Sequence, residues 1–179
     1  MSAQIGAATQ KLGLDKRYRP VYRRFCSERA PGRQMTREER VAFAVLSHAA
    51  WSPEGMRHLR NLAKDPSGCV RQAVAIQYSV YVAAPTAEDR AILSSLLREP
   101  DESTQVTALR ALLRALPDDG SRKDFAREYL RSPTRVGEAG AAIARRVISG
   151  ELSGSSFRFV GSPPDTEVLT VGYVDLRSP

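Results

Sequence analysis

Between residues 36 and 149 apolar side chains return every three or four positions, in runs of about three helical turns separated by connections of a few residues. Thr36-Arg37-Glu38-Glu39 has the form of a capping box, in which hydroxyl and carboxylate satisfy each other's free amides, and it opens the apolar stretch VAFAVLSHAA. Ser52-Pro53 opens the next helix, with Met56, Leu59, Leu62 and Ala63 on one side and Arg57, Arg60 and Lys64 on the other. Thr86 with Asp89 starts a run bearing Ile92, Leu93, Leu96 and Leu97, and Val106, Leu109, Leu112 and Leu113 mark another, stopped by Leu116-Pro117-Asp118-Asp119-Gly120. Ser121 with Asp124 is expected to cap a shorter helix carrying Phe125, Tyr129 and Leu130. Ser132-Pro133 opens the last, with Val136, Ala139, Ile143 and Val147 on one face and Gly150 as its stop.

One stretch departs from this one-sided pattern. Asp65 to Val82, DPSGCVRQAVAIQYSVYV, is a turn followed by a helix whose only polar residues are Arg71, Gln72, Gln77 and Ser79. A helix apolar on nearly every side must be covered on more than one face, so it is expected at the centre of the fold. Short connections force neighbouring helices into antiparallel hairpins, and the expected fold class is all-α.

A loose repeat runs through these helices. Val70-Arg71-Gln72-Ala73 returns as Gln105-Val106-Thr107-Ala108 and again as Val136-Gly137-Glu138-Ala139, a period in the thirties that suits stacked two-helix units. The turn with Asp65 leading into Val70-Arg71 and then small apolar residues resembles the second half of a HEAT-type helical repeat. The resemblance covers about residues 36–149 and is closest over 65–76. It implies a HEAT-like solenoid, with Asp65 and Arg71 at the positions where that family ties successive units by a ladder; Thr107 and Gly137 depart from it.

The two ends differ from this middle. Residues 1–35 are expected as a basic N-terminal arm and helix, in which Pro20 begins a helix with Tyr22, Phe25 and Cys26 on one face and Arg23, Arg24 and Glu28 outside. Residues 36–150 form the helical-repeat domain. Residues 151–179 form an extended tail or β-hairpin, because 157–160 and 167–176 are β-prone and 161–165 is a turn. Two strands alone are marginally stable, so the apolar Phe157, Phe159, Val168, Val171 and Tyr173 are expected to cover the helices or to pair with a partner.

Charge sharpens the contrast. The formal net charge is +7, and residues 1–40 hold ten Lys and Arg against four Asp and Glu, so the basicity is local. Lys16, Arg17, Arg19, Tyr22, Arg23 and Arg24 are therefore the candidates for contacting nucleic acid or an acidic partner: cations meet phosphates while a ring stacks on a base. The competing and favoured expectation is a helix that docks its aromatics on the fold and leaves its arginines in water.

Other chemistry is thinly represented. No apolar run approaches the ~20 residues of a membrane span, and the first residues lack the apolar block of a secretory signal, so the expected location is cytoplasmic. Cys26 and Cys69 share no motif and are expected as two buried or half-buried thiols. His48 and His58 lack neighbours at metal-ligand spacing. No phosphate loop, nucleophile elbow or paired-cysteine motif is present, and no cofactor is expected. Glu38-Glu39, Glu88-Asp89 and Asp118-Asp119 all fall at helix starts, where the helix dipole favours them. Trp51, beside a loop, suits a core or groove position.

These features point to a non-enzymatic interaction adaptor or assembly subunit with a protein partner or self-assembly. A nucleic-acid-binding protein using the N-terminal arginines is the alternative, with HEAT-like DNA glycosylases as its remote enzymatic form. A structural subunit of a larger particle is a third.

Overall fold

The computed structural model describes residues 14–28, 33–82, 84–132 and 137–157. In chain order the described helices are α1 (Leu14–Ser27), α2 (Arg37–Ser47), a 3-10 turn (Ala49–Trp51), α3 (Pro53–Leu62), α4 (Gly68–Tyr81), α5 (Ala87–Leu96), α6 (Glu102–Ala115), α7 (Asp119–Arg131), α8 (Glu138–Ser149) and a 3-10 turn (Gly154–Phe157). The all-α expectation holds among the described residues. Of the expected strands, Phe157 ends a 3-10 turn, while Phe159, Val168, Val171 and Tyr173 lie outside the described residues.

The chain divides into two compact units, and the division falls between Val70 and Arg71, inside α4. In the first unit α1 packs on α2 and α3, so this basic helix is a member of a folded body. Its Tyr18, Val21, Tyr22 and Phe25 are all buried, at the three- and four-residue spacing of one helix face. Phe25 meets Phe43 edge-on at 4.9 Å between ring centroids, and Tyr22 lies 5.4 Å from the same ring.

Two expectations for this unit are corrected. Pro20 lies inside α1, six residues after its start, and not at its beginning. An interior proline costs about 3 kcal/mol in a lone helix. Here the ring faces solvent, and four buried apolar side chains of the same helix, each contributing about 1.5–3 kcal/mol, offset that cost. The second correction is at the cysteines. Cys26 and Cys69 form a disulfide with Cα atoms 5.9 Å apart, not two thiols. They are 43 positions apart in sequence, so their pairing is a consequence of tertiary packing, which lays the end of α1 beside the first turn of α4.

Capping chemistry follows the sequence closely. Thr36 with Glu39 and Thr86 with Asp89 form reciprocal capping boxes, and Ser52 accepts the amide of Gly55 beside Pro53. For α7 the expected Ser121 cap is corrected to Asp118, which accepts the Ser121 amide at 2.8 Å; the helix begins at Asp119. Gly150 ends α8 with φ 88°, a left-handed conformation that favours glycine.

None of residues 69–82 is exposed, as the all-round apolar pattern requires, although Ile76 is half-buried while Val70 and Val74 are fully buried. In the second unit α5 packs on α6, α7 packs on α8, and α6 also packs on α8. Leu109, Leu113, Ala126, Tyr129, Ile143, Ala144 and Val147 form its core, closed at one end by Phe157. Two arginines finish helices there. Arg114 donates to the carbonyls of Tyr78, Ser79 and Val82 at the end of α4. Arg122 does the same at the end of α6, donating to Leu113 and Leu116 while its third nitrogen pairs with Asp119. Each satisfies carbonyls that a helix end leaves without an internal donor.

Candidate partner-binding site

The basic residues of α1 do not form one cationic surface. Asp65, with its carboxylate fully buried, accepts Nε of Arg23 at 3.1 Å on both oxygens and pairs with Arg19 Nε at 3.6 Å. It also accepts the Ser67 amide at 2.9 Å, holding the turn before α4. A buried carboxylate needs such partners, because removing an unpaired charge from water is expensive. Arg24 pairs with Glu38 at 2.5 Å. Arg33 reaches both Glu39, whose side chain is buried, and Glu28. That pairing holds the Glu39 carboxyl below its ordinary range, chiefly through the Arg33 hydrogen bond.

Tyr22 is a core residue. It is 1% exposed, its hydroxyl donates to the Ala42 carbonyl at 2.8 Å, and His58 Nε2 lies 3.5 Å away. His58 Nδ1 meets Asp15 Oδ1 at 2.6 Å, and the other Asp15 oxygen accepts Asn61 at 2.5 Å. An aspartate beside a histidine has the form of an acid-base pair. This one is shut off: the His58 side chain is 1% exposed, and both ring nitrogens face groups of the protein. Burial lowers the His58 pKa below its ordinary value, the Asp15 carboxylate opposing that shift only in part.

An open site lies where α1 and α2 run side by side. A cavity of about 360 Å³ is lined by Arg17, Tyr18, Arg37, Glu38 and Val41. The Arg17 guanidinium lies over the Tyr18 ring, 5.1 Å from its centroid, and Lys16 is exposed on the preceding residue. Of the candidates named from sequence, Arg17 lines this cavity. Arg19, Arg23 and Arg24 are joined to carboxylates, and Tyr22 is inside. Sequence reasoning missed Arg37 and Val41, and it placed Trp51 at a core or groove position, whereas the side chain is 45% exposed. Arg37 sits inside the capping box, which drew it into a structural role, and Val41 falls in a run apolar enough to read as buried throughout.

The ladder residues are both engaged, with different partners. Asp65 serves the first unit as described, and Arg71 makes a two-pronged pair with Glu99 at 2.8 and 2.6 Å in the second. Among the described residues no group of three His, Cys, Asp or Glu side chains is placed to hold a metal ion, and no helix is long and apolar enough to cross a membrane. Comparison with protein-family models, with curated proteins and with solved structures finds no match.

Proposed function

We propose that the chain is a non-enzymatic protein-interaction module, an adaptor or assembly subunit. The observation that carries this reading is the internal commitment of the basic helix. Arg19, Arg23 and Arg24 face carboxylates of their own unit, so a phosphate approaching them meets Asp65 or Glu38 as well. Tyr22, fully enclosed, offers no ring face on which a base can stack. Both halves of the nucleic-acid alternative are thereby weakened, while helices with exposed side chains and an open cavity suit a protein ligand. In the second unit the pairing of α5 with α6 and α7 with α8, with α6 against α8, supports a HEAT-like stack of hairpins as the scaffold.

The test is a polarisation titration of labelled single- and double-stranded oligonucleotides across a salt series. Binding is expected to be absent or indifferent to salt. Affinity that falls steeply with salt, by about 0.7–0.9 in log-log slope for each phosphate engaged, would overturn the reading. The cytoplasmic location is set against the Cys26–Cys69 bond, since disulfides persist where thiols are oxidised. Alkylation of intact cells before lysis, followed by a non-reducing gel, decides whether the bond exists in the cell; free thiols there favour the cytoplasm.

A further inference from the structure

The geometry points to the outer face of α2 and the 3-10 turn after it as the docking surface for a short acidic segment of another protein that is apolar on one side. This inference rests on the interaction reading above and names the partner's chemistry. Val41 and Trp51 are the exposed large hydrophobic residues among those described, at 41% and 45%, and both lie on this one stretch of the first unit. Arg37, Val41, Val45 and His48 follow at helical spacing along one face; Val45 is half-buried and His48 exposed. The His48 and Trp51 rings lie 6.5 Å apart at its end. The α-helix ends at Ser47 and the 3-10 turn carries Trp51 on from it, so the two apolar side chains stand on consecutive elements that a short amphipathic partner segment can cover together.

Charge selects the partner. The cavity of about 360 Å³ opens at the Arg37–Val41 end, and the cations on its wall are Arg17 and Arg37. Among its described lining residues the one carboxylate, Glu38, is already held by Arg24 at 2.5 Å, so the described surface turned to a ligand is cationic. A carboxylate-bearing segment can pair with Arg17 and Arg37 while its apolar side covers Val41 and Trp51. Aromatic and arginine anchors side by side are the usual composition of an energetic centre in a protein interface.

Trp51 is the sole tryptophan of the chain, so its emission reports on this surface directly. The experiment uses the full chain and three synthetic 16-residue peptides: an amphipathic Glu/Leu sequence, its Lys/Leu counterpart and a Glu/Ser sequence. The Glu/Leu peptide is expected to bind and to shift Trp51 emission to the blue. Its affinity should fall by about ten-fold or more in the Arg17→Glu/Arg37→Glu variant, and in Trp51→Ala followed by anisotropy of labelled peptide. All three side chains line or border open surface, and circular dichroism checks that each variant is folded. Equal binding of the Lys/Leu peptide overturns the charge assignment, and failure of the Glu/Leu peptide to bind overturns the acidic, apolar partner. Glu/Leu binding that neither moves Trp51 emission nor weakens in the variants overturns this surface while leaving the interaction reading intact. That reading fails separately, on salt-steep oligonucleotide binding.

Discussion

Replacing Cys26 and Cys69 by serine removes a covalent link between the end of α1 and the first turn of α4. The closed loop spans 43 residues. In the chain-entropy treatment a loop of that size restricts the unfolded state by about 13 cal/mol/K, or about 4 kcal/mol at 25 °C. The described residues of the first unit run to Val70, and a body of roughly 70 residues has a total stability of about 4–10 kcal/mol. The bond is therefore expected to supply a large share of what holds the unit folded. Asp65 with Arg19 and Arg23, and the Tyr22, Phe25 and Phe43 rings, survive in the variant, so the serine chain should still fold, with a much lower urea midpoint. Trp51 lies in the first unit, so its emission follows that unit's unfolding. Wild type, Cys26→Ser/Cys69→Ser and wild type with a phosphine reductant are to be compared. The reduced protein and the variant should agree within about 1 kcal/mol, both well below the oxidised chain. An unchanged midpoint, together with two alkylating groups taken up by the wild type without reductant, would refute the reasoning.

Two further outcomes follow from buried polar groups. Arg114→Met keeps most of the stem but strands carbonyls of Tyr78, Ser79 and Val82, and is expected to destabilise the second unit by about 3 kcal/mol, read by far-UV circular dichroism in urea; a loss under about 0.5 kcal/mol would show that water replaces the guanidinium. The His58 pKa is lowered on folding by burial, so between its folded value and about 6.5 the unfolded state binds more protons, and stability falls as pH drops through that window. Wild type should lose urea resistance between pH 7 and 5 and His58→Gln should lose less; parallel profiles would remove His58 from the account.

The helices were legible because their signals are local. Thr36 with Glu39, Thr86 with Asp89, and Ser52-Pro53 state a helix start within four residues, and the structure begins helices at all three. The central helix was legible from composition alone, since a segment with four polar residues among its apolar ones has nowhere to go but inward. Pro20 was misread because local preference is a few kcal/mol at most and packing overrides it, and the α7 start because two cap residues stand three positions apart. At Pro20 the buried Tyr18, Val21, Tyr22 and Phe25 outweigh the missing amide, and at α7 Asp118 competes successfully with Ser121 for the cap. The disulfide was illegible because nothing within 43 residues of chain marks two cysteines as neighbours.

The basic N-terminal segment illustrates a different limit. Its excess of arginine is a property of sequence, whereas binding depends on which cations still face solvent after folding. The turn before α4 buries the carboxylate of Asp65, and α1 places Arg19 and Arg23 against it. A second turn of the same logic joins Arg24 to Glu38 and Arg33 to Glu28 and Glu39. These arginines thus act as fasteners between α1, the start of α2 and the turn, positioning the wall of the open cavity. Arg17 and Arg37 line that cavity, and the proposed docking rests on them. Selection among neighbouring arginines is made by the acidic side chains that folding brings beside them, and for that reason the candidate surface moves from the whole of α1 to its meeting with α2.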